Sequence, residues 1–136
     1  MIKTLTVICC LVGLSGCSAL SDMPASVAGV SVRALEDARV DAIYQSYPCA
    51  INACFDAIMN VAGEKGYYIF SKDRVRGLVV LMKIPGCVDT TEVGVFLSES
   101  LHGEGILVEL SSRSLLAKKT VAKALFTALA ARFKKE

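Results

Sequence analysis

The residue pattern predicts an α+β domain: a mainly antiparallel sheet with two helices packed on one of its faces. Three observations predict it. Strand-like and helix-like segments follow in the order strand, helix, four strands, helix. Two of the strands alternate cleanly between apolar and polar positions, and both helical segments repeat apolar residues at helical spacing. The four consecutive strands read as hairpin-connected, which favours antiparallel pairing over a crossover architecture.

Arg39 to Tyr47 is expected to be the first strand. Ile43 and Tyr47 alternate there with Ala42, Tyr44 and Ser46, and Pro48 stops the pairing. A helix follows from Ile51 to Ala62, with Ile51, Phe55, Ile58, Met59 and Ala62 on one face and Gly63 and Gly66 ending it. Tyr67 to Ser71 is a second strand. Gly77 to Ile84 is a third, whose unbroken Leu78-Val79-Val80-Leu81-Met82 run ends at Pro85-Gly86.

Thr91 to Ser98 sets Val93, Val95 and Leu97 against Glu92, Gly94, Phe96 and Ser98. Ile106, Val108 and Leu110 repeat the pattern opposite Leu107, Glu109 and Ser111, and Glu99 to Gly105 suits a hairpin loop. The last helix runs from Ser114 to Lys134, capped by Ser112 or Ser114. Its stripe is Leu115, Lys119, Ala122, Leu125, Phe126, Leu129 and Phe133, with the stem of Lys119 laid on the core.

The start of the chain carries a different signal. Lys3 precedes a ten-residue apolar run from Leu5 to Leu14, followed by Ser15, Gly16 and Cys17. Ten residues make about 15 Å of helix, half of a bilayer's hydrocarbon core, so the run fits a cleaved signal rather than a permanent span. Leu14-Ser15-Gly16-Cys17 resembles the lipobox of bacterial lipoproteins. That resemblance implies diacylglyceryl transfer to the Cys17 sulfur, cleavage before Cys17 and acylation of the new amine, which together give stable membrane anchoring. Ser18 stands where an aspartate would signal inner-membrane retention. By analogy with enteric-type bacteria, the protein is expected in the outer membrane, facing the periplasm.

The expected divisions are a signal peptide over 1–16, a lipidated cysteine with a flexible tether over 17–35, and one globular domain over 36–136. The tether is rich in Ser, Ala, Val and Gly, and as a coil it would reach about 20–25 Å. From Arg39 to Phe133 the order of elements resembles small lipoprotein domains of bacterial envelopes. It is also similar to the helix-grip domains of lipoprotein subunits in the outer-membrane protein assembly machine. Phe55-Asp56-Ala57 and Glu64-Lys65-Gly66-Tyr67 are the phrases that carry this likeness, and no functional residue transfers with them.

Removing Lys3 from the 15 basic residues leaves 14 against 13 acidic ones. That balance gives no pull toward nucleic acid. The basic residues gather in the last helix, where Lys118, Lys119, Lys123, Arg132, Lys134 and Lys135 read as a solvated face complementing the helix dipole. Of the six cysteines, Cys9 and Cys10 leave with the signal and Cys17 takes lipid. Export puts Cys49, Cys54 and Cys87 where disulfides persist. With Ala50 as N-cap, Cys49 and Cys54 fall at the two positions of a hydrophobic staple, so a bridge is expected between them and Cys87 is expected to be free. Cys49 or Cys54 bridged to Cys87 is the rival pairing.

No catalytic constellation emerges. His102 is the single histidine, beside Gly103 in an expected loop. The spacing of Cys49, Cys54, Cys87 and His102 matches no compact zinc pattern, and Cys49-x4-Cys54 is too wide for a thiol oxidoreductase. Ser111, Ser112 and Ser114 lack a nucleophile-elbow setting. No enzyme, metal or cofactor is expected.

The sheet itself supplies the candidate site. If Val93, Val95, Leu97, Ile106, Val108 and Leu110 face the helices, Phe96 and Leu107 must face away. One apolar set of the third strand goes with them, either Val79 and Leu81 or Leu78, Val80 and Met82. The candidate binding face is Phe96, Leu107, Val79 and Leu81, rimmed by Glu92, Glu109 and Ser111. A protein of the envelope or a second copy could cover it, or Val27, Val30, Val32 and Leu35 of the tether could fold back over it. The functional expectation is a lipid-anchored accessory that acts by binding; the alternative is a carrier with an apolar pocket between helices and sheet.

Overall fold

The computed structural model of the protein describes residues 32–103 and 105–133. Cys17, the expected signal and most of the expected tether lie outside the described residues. The elements are α1 (Val32–Asp37), a 3-10 turn (Ala38–Asp41), β1 (Ile43–Tyr47), α2 (Ile51–Glu64), β2 (Tyr68–Asp73), β3 (Leu78–Met82), β4 (Val93–Glu99), β5 (Ile106–Ser111) and α3 (Leu115–Arg132). The five strands form one antiparallel sheet in the order β1-β5-β4-β3-β2. The α+β class and the two long helices on one face stand as the sequence predicts.

Those helices cover one face through a continuous apolar layer. Val79, Leu81, Val93, Val95, Val108 and Leu110 meet Ile58, Ala62, Val121, Leu125 and Leu129, all of them buried. The α2 terminus shows how local chemistry sets this packing. Gly66 adopts φ +72°, its N–H bonds the Gly63 carbonyl at 3.2 Å, and the Tyr67 N–H bonds the Ala62 carbonyl at 2.9 Å. This pair of bonds is a Schellman stop, and it turns the chain so that Tyr67 is buried against the core at the start of β2. At α3, Ser114 is the N-cap, and its hydroxyl accepts from the Ala117 N–H.

Four expectations need correction. The first strand begins at Ile43, not Arg39, because Ala38–Asp41 winds into the 3-10 turn closed by the Ala42 N–H on the Arg39 carbonyl. The folded unit also reaches further back than residue 36. Val32–Asp37 is helical and Leu35 is only 2 % exposed, packed on the face of the sheet away from α2 and α3.

The third correction concerns Val79 and Leu81. They lie opposite Val95 and Val93 and belong to the helix-side core, so the candidate face loses both. Leu78 and Val80 take the far side instead. Finally, the buried lysine of α3 is Lys118, while Lys119 and Leu115 are exposed. Ala122, Leu125 and Leu129 of the expected stripe are buried, and Phe126 and Phe133 pack against the core. Ala117, Lys118 and Val121 complete the buried side, and the Lys118 ammonium donates to the Asp41 carbonyl.

Candidate interaction surface

Cross-strand pairing arranges the far face of the sheet in rows. One row runs Tyr44, Glu109, Phe96, Leu78, Asp73; beside it lies Ser111, Gly94, Val80, Ser71. Gly94 is the low point of this surface. A β-carbon there would lie 2.8 Å from the Phe96 ring, 3.3 Å from Leu35 Cδ1 and 3.3 Å from Ser111 Oγ. The missing side chain leaves a socket, and Leu35 of α1 sits in it.

Three further contacts hold the docked segment. Ser111 Oγ donates to the Leu35 carbonyl at 2.7 Å, supplying the hydrogen that a six-residue helix cannot find within itself. The Arg39 guanidinium stacks over the Phe96 ring, 4.5 Å from its centroid, and bonds the Glu109 carboxylate. Arg76 reaches Glu36 at 3.4 Å, an exposed pair. With Val32 and Phe70 at the margins, Leu35, Leu78, Val80 and Phe96 form a small second core.

The cover is incomplete. Leu107 is half-buried between Ser98 and Ser46 on the same face, and Tyr44 is 69 % exposed. Of the candidate residues, then, Phe96 lies under α1 and Arg39, Leu107 lies beside that cover, and Val79 and Leu81 lie on the opposite face. Leu35 and Arg39 complete the site with Ser111 of the expected rim; in the sequence, Leu35 is one of four apolar residues able to fold back over the face. An isolated glycine inside the alternating run of β4 was the signal available for it, since such glycines mark close approach of another chain segment.

The remaining candidates are dispersed. Cys49 and Cys54 are joined by a disulfide with their α-carbons 6.1 Å apart, across the first turn of α2. Cys87 is a free thiol, half-buried against the main core. His102 is exposed in the β4–β5 loop. Among the described residues no group of three or more His, Cys, Asp or Glu side chains is gathered as a metal site would need.

Clefts open on the surface of the described residues. One of about 390 Å³ lies beside α1, lined by Leu35, Thr91, Glu92, Ser112 and Arg113. Partial burial raises the Glu92 carboxyl above its ordinary range, and Arg113 opposes the rise. Another, of about 520 Å³, runs between α2 and α3 and is lined by Val61, Tyr67, Lys123, Ala124 and Ala128. No described helix is long and apolar enough to cross a membrane. Comparison with protein-family models, with curated proteins and with solved structures finds no match to this chain. Functional inference rests on the chain's own residues.

Proposed function

We propose that this chain is a lipid-anchored protein of the bacterial cell envelope, facing the periplasm from the outer membrane, that acts by binding as an assembly or structural accessory. The anchor rests on Lys3, the apolar run and Leu14-Ser15-Gly16-Cys17. The binding part rests on one observation: the far face of the sheet accepts a short helix, with Leu35 seated over Gly94. With that socket filled by Leu35, the strip beside α1, with half-buried Leu107 and exposed Tyr44, is the part of the face suited to an apolar helical or extended segment of another protein. A carrier of small apolar ligands draws less support. The layer where its ligand would sit is filled by Ile58, Leu81, Val95, Val108, Leu125 and Leu129, each fully buried.

The test is Leu107→Lys in the membrane-anchored protein. The expected result is an unchanged melting temperature together with loss of a stoichiometric protein that co-purifies with the parent. Co-purification of a small apolar molecule with both forms, and of no protein with either, would replace this reading with the carrier.

A further inference from the structure

The two edges of the sheet differ. The β2 edge is defended: a bulge interrupts its register between Ile69 and Ser71, Lys72 and Asp73 lie in the strand, and Arg74 follows. The Lys83 ammonium also stands over the Tyr68 ring, 5.3 Å from its centroid. Bulges and charges of this kind keep an edge from pairing with other strands. The β1 edge has none of them. Ile43-Tyr44-Gln45-Ser46-Tyr47 pairs with β5 in unbroken register, contains no charge and no proline, and exposes Tyr44, Gln45 and Ser46. Among the described residues no further strand lies beside it.

From this asymmetry we infer that β1 pairs antiparallel with β1 of a second copy, joining two five-stranded sheets across a two-fold axis. Full overlap of the five-residue strands places the axis at Gln45. Ile43 then faces Tyr47 of the second copy, and Tyr44 faces Ser46. An uncharged strand is compatible with itself, because no like charges meet in this register. One open edge and one defended edge give a closed dimer; two open edges would give a filament.

Strand pairing alone is small beside the roughly 1,200–2,000 Å² of stable interfaces. The neighbouring helix enlarges it. α3 lies along β1, with the Lys118 ammonium on the Asp41 carbonyl and the Tyr47 hydroxyl donating to the Phe126 carbonyl at 3.3 Å. One side of α3 faces the cleft shared with α2. At 100° per residue, the opposite flank carries Leu115, Lys119, Phe126 and Phe133. Leu115 is 57 % exposed, and Phe126 and Phe133 pack against the main core while remaining half-exposed. The two-fold axis brings these flanks together head to tail, so Lys119 meets the C-terminal half of the other α3 and not its own counterpart.

Sedimentation equilibrium of the purified full chain in detergent, from micromolar concentration upward, tests the proposal independently of what the far face binds. The parent is expected to be a dimer. Gln45→Lys and Gln45→Glu each put like charges on the axis and should each weaken association roughly five-fold or more. An equimolar mixture of the two variants should dimerise again. Gln45 is exposed, so neither change should alter the melting temperature of the monomer. A parent that is monomeric throughout overturns the proposal, as does a dimer indifferent to both charges or a mixture that stays monomeric. Each of those results would leave the β1 edge to the N-terminal segment or to nothing.

Discussion

Ser111 Oγ and the carbonyl of Leu35, 76 positions apart in the chain, share a 2.7 Å hydrogen bond buried on the far side of the sheet. It fastens the first described helix to the last strand. Ser111→Ala leaves that carbonyl unpaired and should cost about 1 kcal/mol. Leu35→Ala empties the socket over Gly94 and should cost about 2 kcal/mol, the low end for buried leucines, because a six-residue helix can simply let go. Chemical denaturation gives both values. Hydrogen exchange should show protection lost in 32–41 while β3, β4 and the helix-side core keep theirs.

Lys118 and Lys119 are neighbours with opposite circumstances. Lys118 is 5 % exposed and its ammonium is spent on the Asp41 carbonyl. Lys118→Met should therefore lower stability by about 2 kcal/mol, the scale of a hydrogen bond from a charged donor. Lys119→Met should change it by less than about 0.5 kcal/mol, as exposed substitutions generally do. Thermal melts of the two variants side by side check the contrast.

The Cys49–Cys54 bridge closes a short loop at the start of α2. In the chain-entropy view, a loop of this length contributes about 2 kcal/mol. Reduction should lower stability by that amount without abolishing the fold, and Cys87→Ser should leave the bridge intact. Non-reducing peptide mapping identifies the linked pair, and a Cys87-containing peptide in the bridge would contradict this assignment.

Tyr47, Tyr67 and Glu92 all have pKa values raised by burial, so each makes stability fall as pH rises through its titration. Burial pushes the Tyr47 phenol up to about 12 from its ordinary 10.0, so its contribution is complete below pH 10 and is lost between 10 and 12. Tyr47→Phe should remove the most alkaline step of the tyrosinate absorbance titration. The Glu92 carboxyl is also raised, chiefly by burial. The unfolded chain ionises first, and stability is lost as pH climbs from the ordinary carboxylate range through the raised value. Glu92→Gln should accordingly stabilise the protein at neutral pH and leave it unchanged in acid, as denaturant midpoints at the two pH values will show.

The anchoring proposal has its own test. Cys17→Ser should abolish incorporation of labelled fatty acid and leave an unprocessed or misplaced precursor. A variant that is fully cleaved at the signal and still partitions into detergent would refute the lipid anchor.

The sheet was largely legible because β4 and β5 each bury one face completely, so alternation alone fixes Val93, Val95, Leu97, Ile106, Val108 and Leu110. In β3 that argument fails. Leu78, Val79, Val80 and Leu81 are all buried, half of them under α1, and only the register Val79 opposite Val95 separates the two sides. α1 itself has too few residues to show a period. What holds it is a socket at Gly94 and a distant serine, neither of which is local information. In α3, alanines at 117, 122, 124 and 128 make several faces equally able to pack, and the choice of Lys118 over Lys119 comes from the position of the Asp41 carbonyl.

The strand order has a consequence in time as well as in space. β2, β3 and β4 each pair with the next strand along the chain, whereas β1 must find β5 with α2 and three strands intervening. Closing so long a loop is entropically dearer than closing a hairpin, and contacts of this kind slow folding. The meander therefore assembles on its own clock. β1 is expected to close onto it late, which would make the uncharged edge the last part of the sheet to be built.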